Sequence, residues 1–429
     1  MAAMKEYVGK ILMLVEDYYP ADVRVRNEAV TLTKAGYKIT IISLRKKGQP
    51  AKEKINEVGV YRIPKLELFQ KSSKKRDSSI LKLYQTAKSV VGYLIEYFYF
   101  TTACLILSLY IAIKESFDVV HIHNPPDTLF LVGAFFKLFR KKFVFDHHDL
   151  SPELYLSRFG VDDGFIHRGL LRVEKLCLRS ANMVIATNES YKNIAMQRGD
   201  KKPEDVFIVR NGPDLDRIKL HPPDGELKKL NKKILGYVGE INPQDGVDYL
   251  LRAIRCLVYE IGRSDFYCVI IGSGDSLPDA KALAHELEID DYVWFTGFIP
   301  DRDMFRYLST ADICVDPDPS SPLNDVSTWI KIMEYMALGK PIVSFDLPET
   351  RVTAQKAAIY VTPNSELEFA EAIVRLMDNP EERTELGAFG RRRIVNELAW
   401  QHVSENLISA YEWLLDHSNN KKQGSPVLN

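Results

Sequence analysis

The chain has 429 residues, 46% of them hydrophobic, with a formal net charge of −1. That length holds two α/β domains with full cores, and the balanced charge offers no basic field for a nucleic acid. Five scattered cysteines, Cys104, Cys177, Cys256, Cys268 and Cys314, form no close-spaced metal or redox pair and read as small core residues of a reducing compartment. The opening MAAMKEYVGK lacks the apolar core of a secretion signal, so a cytoplasmic protein is expected.

Short apolar strands alternate with longer helical stretches, the pattern of doubly wound parallel sheets. In the first half the pattern predicts strands at Lys10–Val15, Lys38–Ser43, Val119–His123, Lys142–Phe145 and Met183–Thr187. After the first of them, Tyr19-Pro20-Ala21-Asp22-Val23-Arg24 opens a helix, where Asp22, Arg24 and Arg26 either bind a polar acceptor or merely cap. Ser89 to Ile113 is long enough to span a bilayer, and Glu96 is its only charge. A crossing there would put the second and third strands of one sheet on opposite sides of the membrane. A helix packed against the sheet, broken or not near Thr101-Thr102, is expected instead. Its aromatic run, Tyr93, Tyr97, Phe98, Tyr99 and Phe100, exceeds what one packed face needs. Upstream, Lys71, Lys74, Lys75, Arg76, Lys82 and Lys88 are countered only by Asp77. Basic residues beside an aromatic helix suit an anionic lipid surface, so peripheral membrane association is expected.

The strand ending in His121-Ile122-His123 runs into Asn124-Pro125-Pro126-Asp127, and the next ends in Asp146-His147-His148-Asp149. His148 and Asp149 either face a cleft or belong to a satisfied turn network. After the apolar run Val206–Val209, Arg210-Asn211-Gly212-Pro213 breaks the pattern. The expected organisation is a first domain over 1–212, a second over 213–399, a last helix over 400–417 and a disordered tail over 418–429.

The second half predicts strands at Lys233–Val238, Tyr267–Ile271, Tyr292–Phe295, Ile313–Val315 and Pro341–Phe345. Gly239 closes the first of these, and Gly274 follows the second in a Gly-x-Gly that by itself is weak. Asp316-Pro317-Asp318 is formally the Asp-x-Asp that holds a divalent ion on a diphosphate elsewhere, but it follows a late strand, and Asp318 reads as an ordinary loop acid. In Ser327 to Arg351, STWIKIMEYMALGKPIVSFDLPETR, hydroxyl residues precede a helical apolar run that stops at Gly339-Lys340-Pro341. A helix start there would present N–H groups and a positive dipole end, which suits a pyrophosphate. Glu334, two turns in, would accept bonds from a sugar diol, with Lys331 on the same face.

This last segment resembles the donor-site motif of the retaining, nucleotide-sugar-dependent glycosyltransferases of the GT-B fold, the group 1 or family 4 type. Gly236-Tyr237-Val238-Gly239 with Gln244-Asp245-Gly246-Val247-Asp248 resembles the family's loop beneath the donor phosphates. The loop beginning at Gly297 resembles the part that lines the base pocket. The resemblance covers nearly the whole chain. It implies two Rossmann-like domains facing a cleft, a C-terminal helix crossing back, and a second histidine of the His121-Ile122-His123 motif, His123, that contacts the transferred sugar. The family's motif carries two glutamates eight positions apart, and the partner of Glu334 is here Val326. Its work would pass to Asn324, Asp325 or the amides of Ser327 and Thr328. Glu240 and Asp245 stand where many relatives place cations, leaving Lys331 and the helix start for the phosphates. A bacterial polysaccharide-associated subgroup is similar in its Gln-Asp-Gly-Val-Asp and Asn-Asp-x-Ser-Thr segments.

The expected activity is therefore metal-independent transfer of a sugar from a nucleotide diphosphate sugar, with no cofactor, to a lipid-linked glycan. Catalysis would fall to His123, Lys331 and Glu334, and donor binding to Gly239, Gly274, Gly297, Asn324, Asp325, Ser327 and Thr328. Asp22, Arg24, His148 and Asp149 would lie on the acceptor side, and Lys74, Lys75, Arg76, Tyr97 and Phe98 would meet the membrane. A sugar-nucleotide epimerase and a non-catalytic nucleotide-sugar-binding subunit remain as alternatives.

Overall fold

The computed structural model describes residues 7–66, 79–159 and 164–423. Two compact units emerge: Met1–Val209 with Ser404–Asn429, and Arg210–Val403. Lys71, Lys74, Lys75 and Arg76 lie outside the described residues, as does the segment 424–429.

In the first unit the strands are β1 (Lys10–Leu14), β2 (Lys38–Arg45), β3 (Lys52–Ile55), β4 (Val58–Pro64), β5 (Val119–His123), β6 (Lys142–His147), β7 (Met183–Ala186) and β8 (Val206–Ile208). They form one sheet in the order β3-β4-β2-β1-β5-β6-β7-β8. Neighbours run parallel except for β3 and β4. The central strands are covered on both faces, which is why β1 reads KILML without alternation. The β3–β4 pair has no counterpart in the expected strands. The sequence KEKI carries charge on an exposed edge, and its turn uses Asn56 and Glu57 at φ 46° and 72° in place of a glycine.

The long helix Ser79–Lys114 is unbroken and runs on through Thr101-Thr102. Its neighbours in the chain, β4 and β5, belong to the same sheet. Phe100, Cys104, Ser108 and Ile111, at helical spacing, are buried, while Leu94, Phe98, Ile106 and Ile113 are exposed. Residues Gly92–Lys114 are long and apolar enough to cross a membrane by length and composition, but only 28% of the most apolar window is buried.

The second unit holds β9 (Lys233–Val238), β10 (Phe266–Ile271), β11 (Val293–Gly297), β12 (Ile313–Asp316), β13 (Ile342–Phe345) and β14 (Ala358–Val361). They pair in parallel in the order β11-β10-β9-β12-β13-β14. β14 was not expected; AIYV is short and half exposed at the sheet edge. The last helix, Trp400–Gln423, runs past 417, so the segment expected as a tail begins as helix. From Ser404 onward it belongs to the first unit, through buried Leu407, Ala410, Tyr411 and Leu414.

The loop after β9 is pressed against the loop after β12. Gly246 sits at φ +62°, and a Cβ there would lie 2.0 Å from the Pro317 carbonyl oxygen. Left-handed strain and the steric clash act together. Gly246→Ala should cost about 1–3 kcal/mol, read as an earlier unfolding midpoint in urea; an unchanged midpoint would contradict this packing.

Candidate functional site

In the first unit, alternation along β5 puts His121 and His123 on one face, with stacked rings 4.2 Å apart. β6 brings Asp146 to them, and the turn after it brings His148. A single oxygen, Asp146 Oδ2, receives His121 Nε2 at 3.2 Å, His123 Nδ1 at 3.1 Å and His148 Nε2 at 3.0 Å. Those contacts hold the Asp146 carboxyl well below the usual range despite its burial, the His148 contribution being the largest of the favourable ones. Glu28, on the helix Val23–Lys34, shares this space. Burial, and then the neighbouring Asp146 charge, push its carboxyl well up. Burial, and next His123, lower His121 to about 4, leaving it neutral. Its Nδ1 lies 2.8 Å from the Tyr411 hydroxyl on the last helix.

Asn124 fixes the turn that presents His148. Its amide nitrogen donates to the Asp149 carbonyl at 2.7 Å and to Asp127 Oδ1 at 3.0 Å, and its oxygen accepts from the His148 and Asp149 amides. Asp149 thus enters a turn network through its backbone. Asp22 caps the first helix, accepting from the amides of Arg24 at 2.9 Å and Val25 at 3.2 Å, and pairs with Arg24 at 3.4 Å. Among the expected residues of this unit, His123 and His148 come together; Glu28, Asp146 and Tyr411 join them unannounced. A glutamate within a helix and an aspartate inside a buried strand were the available signals.

In the second unit, the loops after β9 and β10 are in contact. Gly239 donates to the Ile271 carbonyl at 3.1 Å, and a Cβ on Gly274 would lie 2.4 Å from the Ile241 carbonyl oxygen. Gly274 is therefore needed for loop-to-loop packing. Gly297, at φ +69°, ends β11 and accepts from the Gly272 amide at 3.1 Å. The helix expected after Ser327 starts at Ile330 and ends at Ala337. Its N-cap is Trp329, whose side chain makes no cap bond. Ser327 Oγ turns back to the Leu323 carbonyl at 2.7 Å, and Thr328 Oγ1 reaches Glu349 at 3.4 Å. Glu334 consequently lies one turn inside the helix.

Lys331, in the first turn, is buried. Its Nζ lies 2.6 Å from Asp318 Oδ1 and 3.5 Å from Asp316 Oδ1, beside the rings of Tyr237 and Trp329. Burial, and then Asp316, push the Asp318 carboxyl well up. Glu334 Oε1 meets Arg217 Nη2 at 2.6 Å, and Arg217 also pairs with Asp301 at 2.9 Å. Burial outweighs the Arg217 attraction and raises the Glu334 carboxyl to about 7. Asn324 is fully buried; its amide nitrogen donates to the Gln244 and Pro319 carbonyls, both at 2.8 Å, and its Oδ1 has no partner. Asp325 is occupied by Ser320 Oγ at 3.2 Å and the Ser321 amide at 3.3 Å. Arg217 was not singled out, since nothing near it in sequence marks a pairing with a residue so far along the chain.

Two family models match: Glycosyltransferase Family 4 over residues 21–217 and Glycosyl transferases group 1 over residues 232–379. Spore coat protein SA of Bacillus subtilis (strain 168) is 31% identical over 322 residues, covering 70% of this chain and 79% of that protein. Alpha-maltose-1-phosphate synthase of Mycolicibacterium smegmatis is 26% identical over 267 residues, 56% of this chain. The match spans 65% of that synthase, a little under two thirds of its length. The crystal structure of Anabaena HepE in complex with UDP and glucose superposes with a TM-score of 0.68 at 16% identity, covering 94% of this chain and 99% of that one. The chain belongs to the group 1 glycosyltransferases, and its fold is GT-B.

A carboxyl raised from its unfolded value near 4.5 contributes stability that is fully present below that pH and is lost as pH rises through about 7. Glu334→Gln should therefore flatten the decline in unfolding midpoint across this window. An equally steep decline in the variant would contradict the assignment.

Proposed function

We propose that the protein is a retaining glycosyltransferase that moves a sugar from a nucleoside diphosphate sugar to a lipid-linked glycan in bacterial polysaccharide or glycolipid synthesis. The observation that carries this reading is the start of the helix Ile330–Ala337, with Glu334 one turn inside it and the buried, unpartnered Asn324 Oδ1 on the preceding loop. The helix amides take the departing diphosphate, with Lys331 as the cation of the same helix end. Glu334 exchanges Arg217 for the ribose hydroxyls. Asn324 Oδ1 accepts from a sugar hydroxyl, the work of the acid absent at Val326. In the first unit, His123 holds Nδ1 against Asp146 and leaves Nε2 buried without a partner, ready for a hydroxyl of the transferred sugar. No protein nucleophile takes part, and positioning and electrostatics supply the rate. No metal is needed on the diphosphate, because helix dipole and lysine already stabilise its charge. Retention of configuration rests on family membership.

The acceptor side is the first unit. A cavity lined by Arg45, Lys46, Lys47 and Lys65 with Tyr18 suits an anionic, diphosphate-linked acceptor. The exposed Leu94, Phe98, Ile106 and Ile113 suit the headgroup boundary of a bilayer. Both support a cytoplasmic protein held on the inner face of the cell membrane.

The test is incubation with a panel of UDP- and GDP-sugars, following nucleotide release with and without a lipid-linked acceptor. Acceptor-dependent release with one donor, persisting in excess EDTA, is expected. Glu334→Gln should lower kcat/KM by roughly 1.5–3 kcal/mol, the worth of a charge-assisted bond. Release with no donor, or turnover that EDTA abolishes and magnesium restores, would overturn the reading.

Salt should weaken binding to anionic vesicles, since each lysine near such a surface contributes about 1 kcal/mol that screening removes. Replacing Lys74, Lys75 and Arg76 by glutamate should release the protein from them. Unaltered co-sedimentation of that variant would count against membrane docking.

A further inference from the structure

The cluster in the first unit contains more acid and imidazole than sugar positioning uses. Glu28, His123, Asp146 and His148 each offer one donor atom, and all four atoms lie within 4.8 Å of one another, with every residue buried. Three of the separations are telling. His123 Nδ1 and His148 Nε2 lie 3.1 and 3.0 Å from Asp146 Oδ2 and 3.4 Å from each other. Ligands about 2.0–2.2 Å from a tetrahedral zinc ion stand roughly 3.3–3.5 Å apart, so this triangle closes around an ion with small adjustments.

Glu28 offers the fourth donor, within 4.8 Å of the other three. A second observation points the same way. Glu28 Oε2 is buried and makes no hydrogen bond. An orphaned acceptor of this kind is costly in a dry interior, and a cation would satisfy it. The outer support is also in place, since His121 bonds Asp146 and is itself held by the Tyr411 hydroxyl at 2.8 Å.

We propose that Glu28, His123, Asp146 and His148 form a binding site for one divalent cation of the zinc class. Two carboxylates balance the charge of such an ion, and two imidazoles with two oxygens in a tetrahedral arrangement suit zinc over magnesium or calcium. The site is separate from the diphosphate chemistry, which draws on the second unit. Binding is measured without substrate, so its outcome is independent of the transfer reading.

There is a consequence for His123. Against an ionised Asp146 its Nδ1 carries the hydrogen and Nε2 is an acceptor; with an ion on Nδ1, the hydrogen moves to Nε2, which becomes a donor. Metal occupancy would thus invert what His123 offers a sugar hydroxyl.

The test uses the full chain, stripped with chelator, dialysed against zinc and assayed for bound metal, with cobalt as a spectroscopic substitute. One zinc per chain and visible ligand-field bands of tetrahedral cobalt are expected. His148→Gln and Glu28→Gln should each weaken zinc by at least about tenfold, and Tyr411→Phe, which frees His121 behind Asp146, by about 10-fold or more. Circular dichroism checks that each variant is folded; if the ligand variants do not fold, Tyr411→Phe decides. Failure to retain zinc, octahedral cobalt, or zinc affinity unaltered in folded variants would overturn the site.

Discussion

Charge placed out of water at strand ends is the constraint on which the rest of this molecule depends. Asp146 lies on an interior strand with no exposure, and an isolated carboxylate there would be untenable. Three imidazoles on one of its oxygens make it tolerable. That requirement dictates much around it: histidines at alternate positions of β5, a third histidine held by the Asn124 turn, and a tyrosine from the last helix behind His121. A group of side chains so interlocked has few rotamer choices, which is the preorganisation that a positioning catalyst needs.

The second unit meets the same constraint differently. Lys331 and two aspartates form a buried ion-paired set, and Glu334 is matched by Arg217. In the proposed function these pairs would hold Lys331 and Glu334 in place before a ligand arrives, at the expense of an exchange when it does. The unusual feature is the acid missing at Val326. Asn324 next to it is anchored by both amide hydrogens, so its oxygen is aimed and unspent. An amide oxygen in place of a carboxylate would favour a sugar hydroxyl without adding charge beside the diphosphate.

Much of this was legible in the sequence where local pattern decides. Val119–His123 and Lys233–Val238 coincide with β5 and β9 because continuous apolar runs admit little else in a covered parallel sheet. His123, Glu334 and Asn324 were singled out through motifs that resemble the family's. What stayed hidden depends on partners far along the chain. Tyr411 is 290 residues from His121, and Arg217 is 117 from Glu334, and neither has a local signal. Ser327 and Thr328 looked like caps because hydroxyls before a helix usually are, but Ser327 Oγ turns back to the Leu323 carbonyl, Thr328 Oγ1 reaches Glu349, and the helix starts at Ile330. The β3–β4 hairpin escaped because its left-handed turn is made without glycine.

The central claim is that the second unit holds the nucleoside diphosphate through loop and helix amides. Hydrogen–deuterium exchange of the full chain, with and without a saturating nucleoside diphosphate, tests it most directly because it reads those amides themselves. The account predicts slowed exchange over 236–246, 271–276 and 324–334, while the first unit's sheet is unaltered. No protection in those three segments, or protection confined to the first unit, would contradict it.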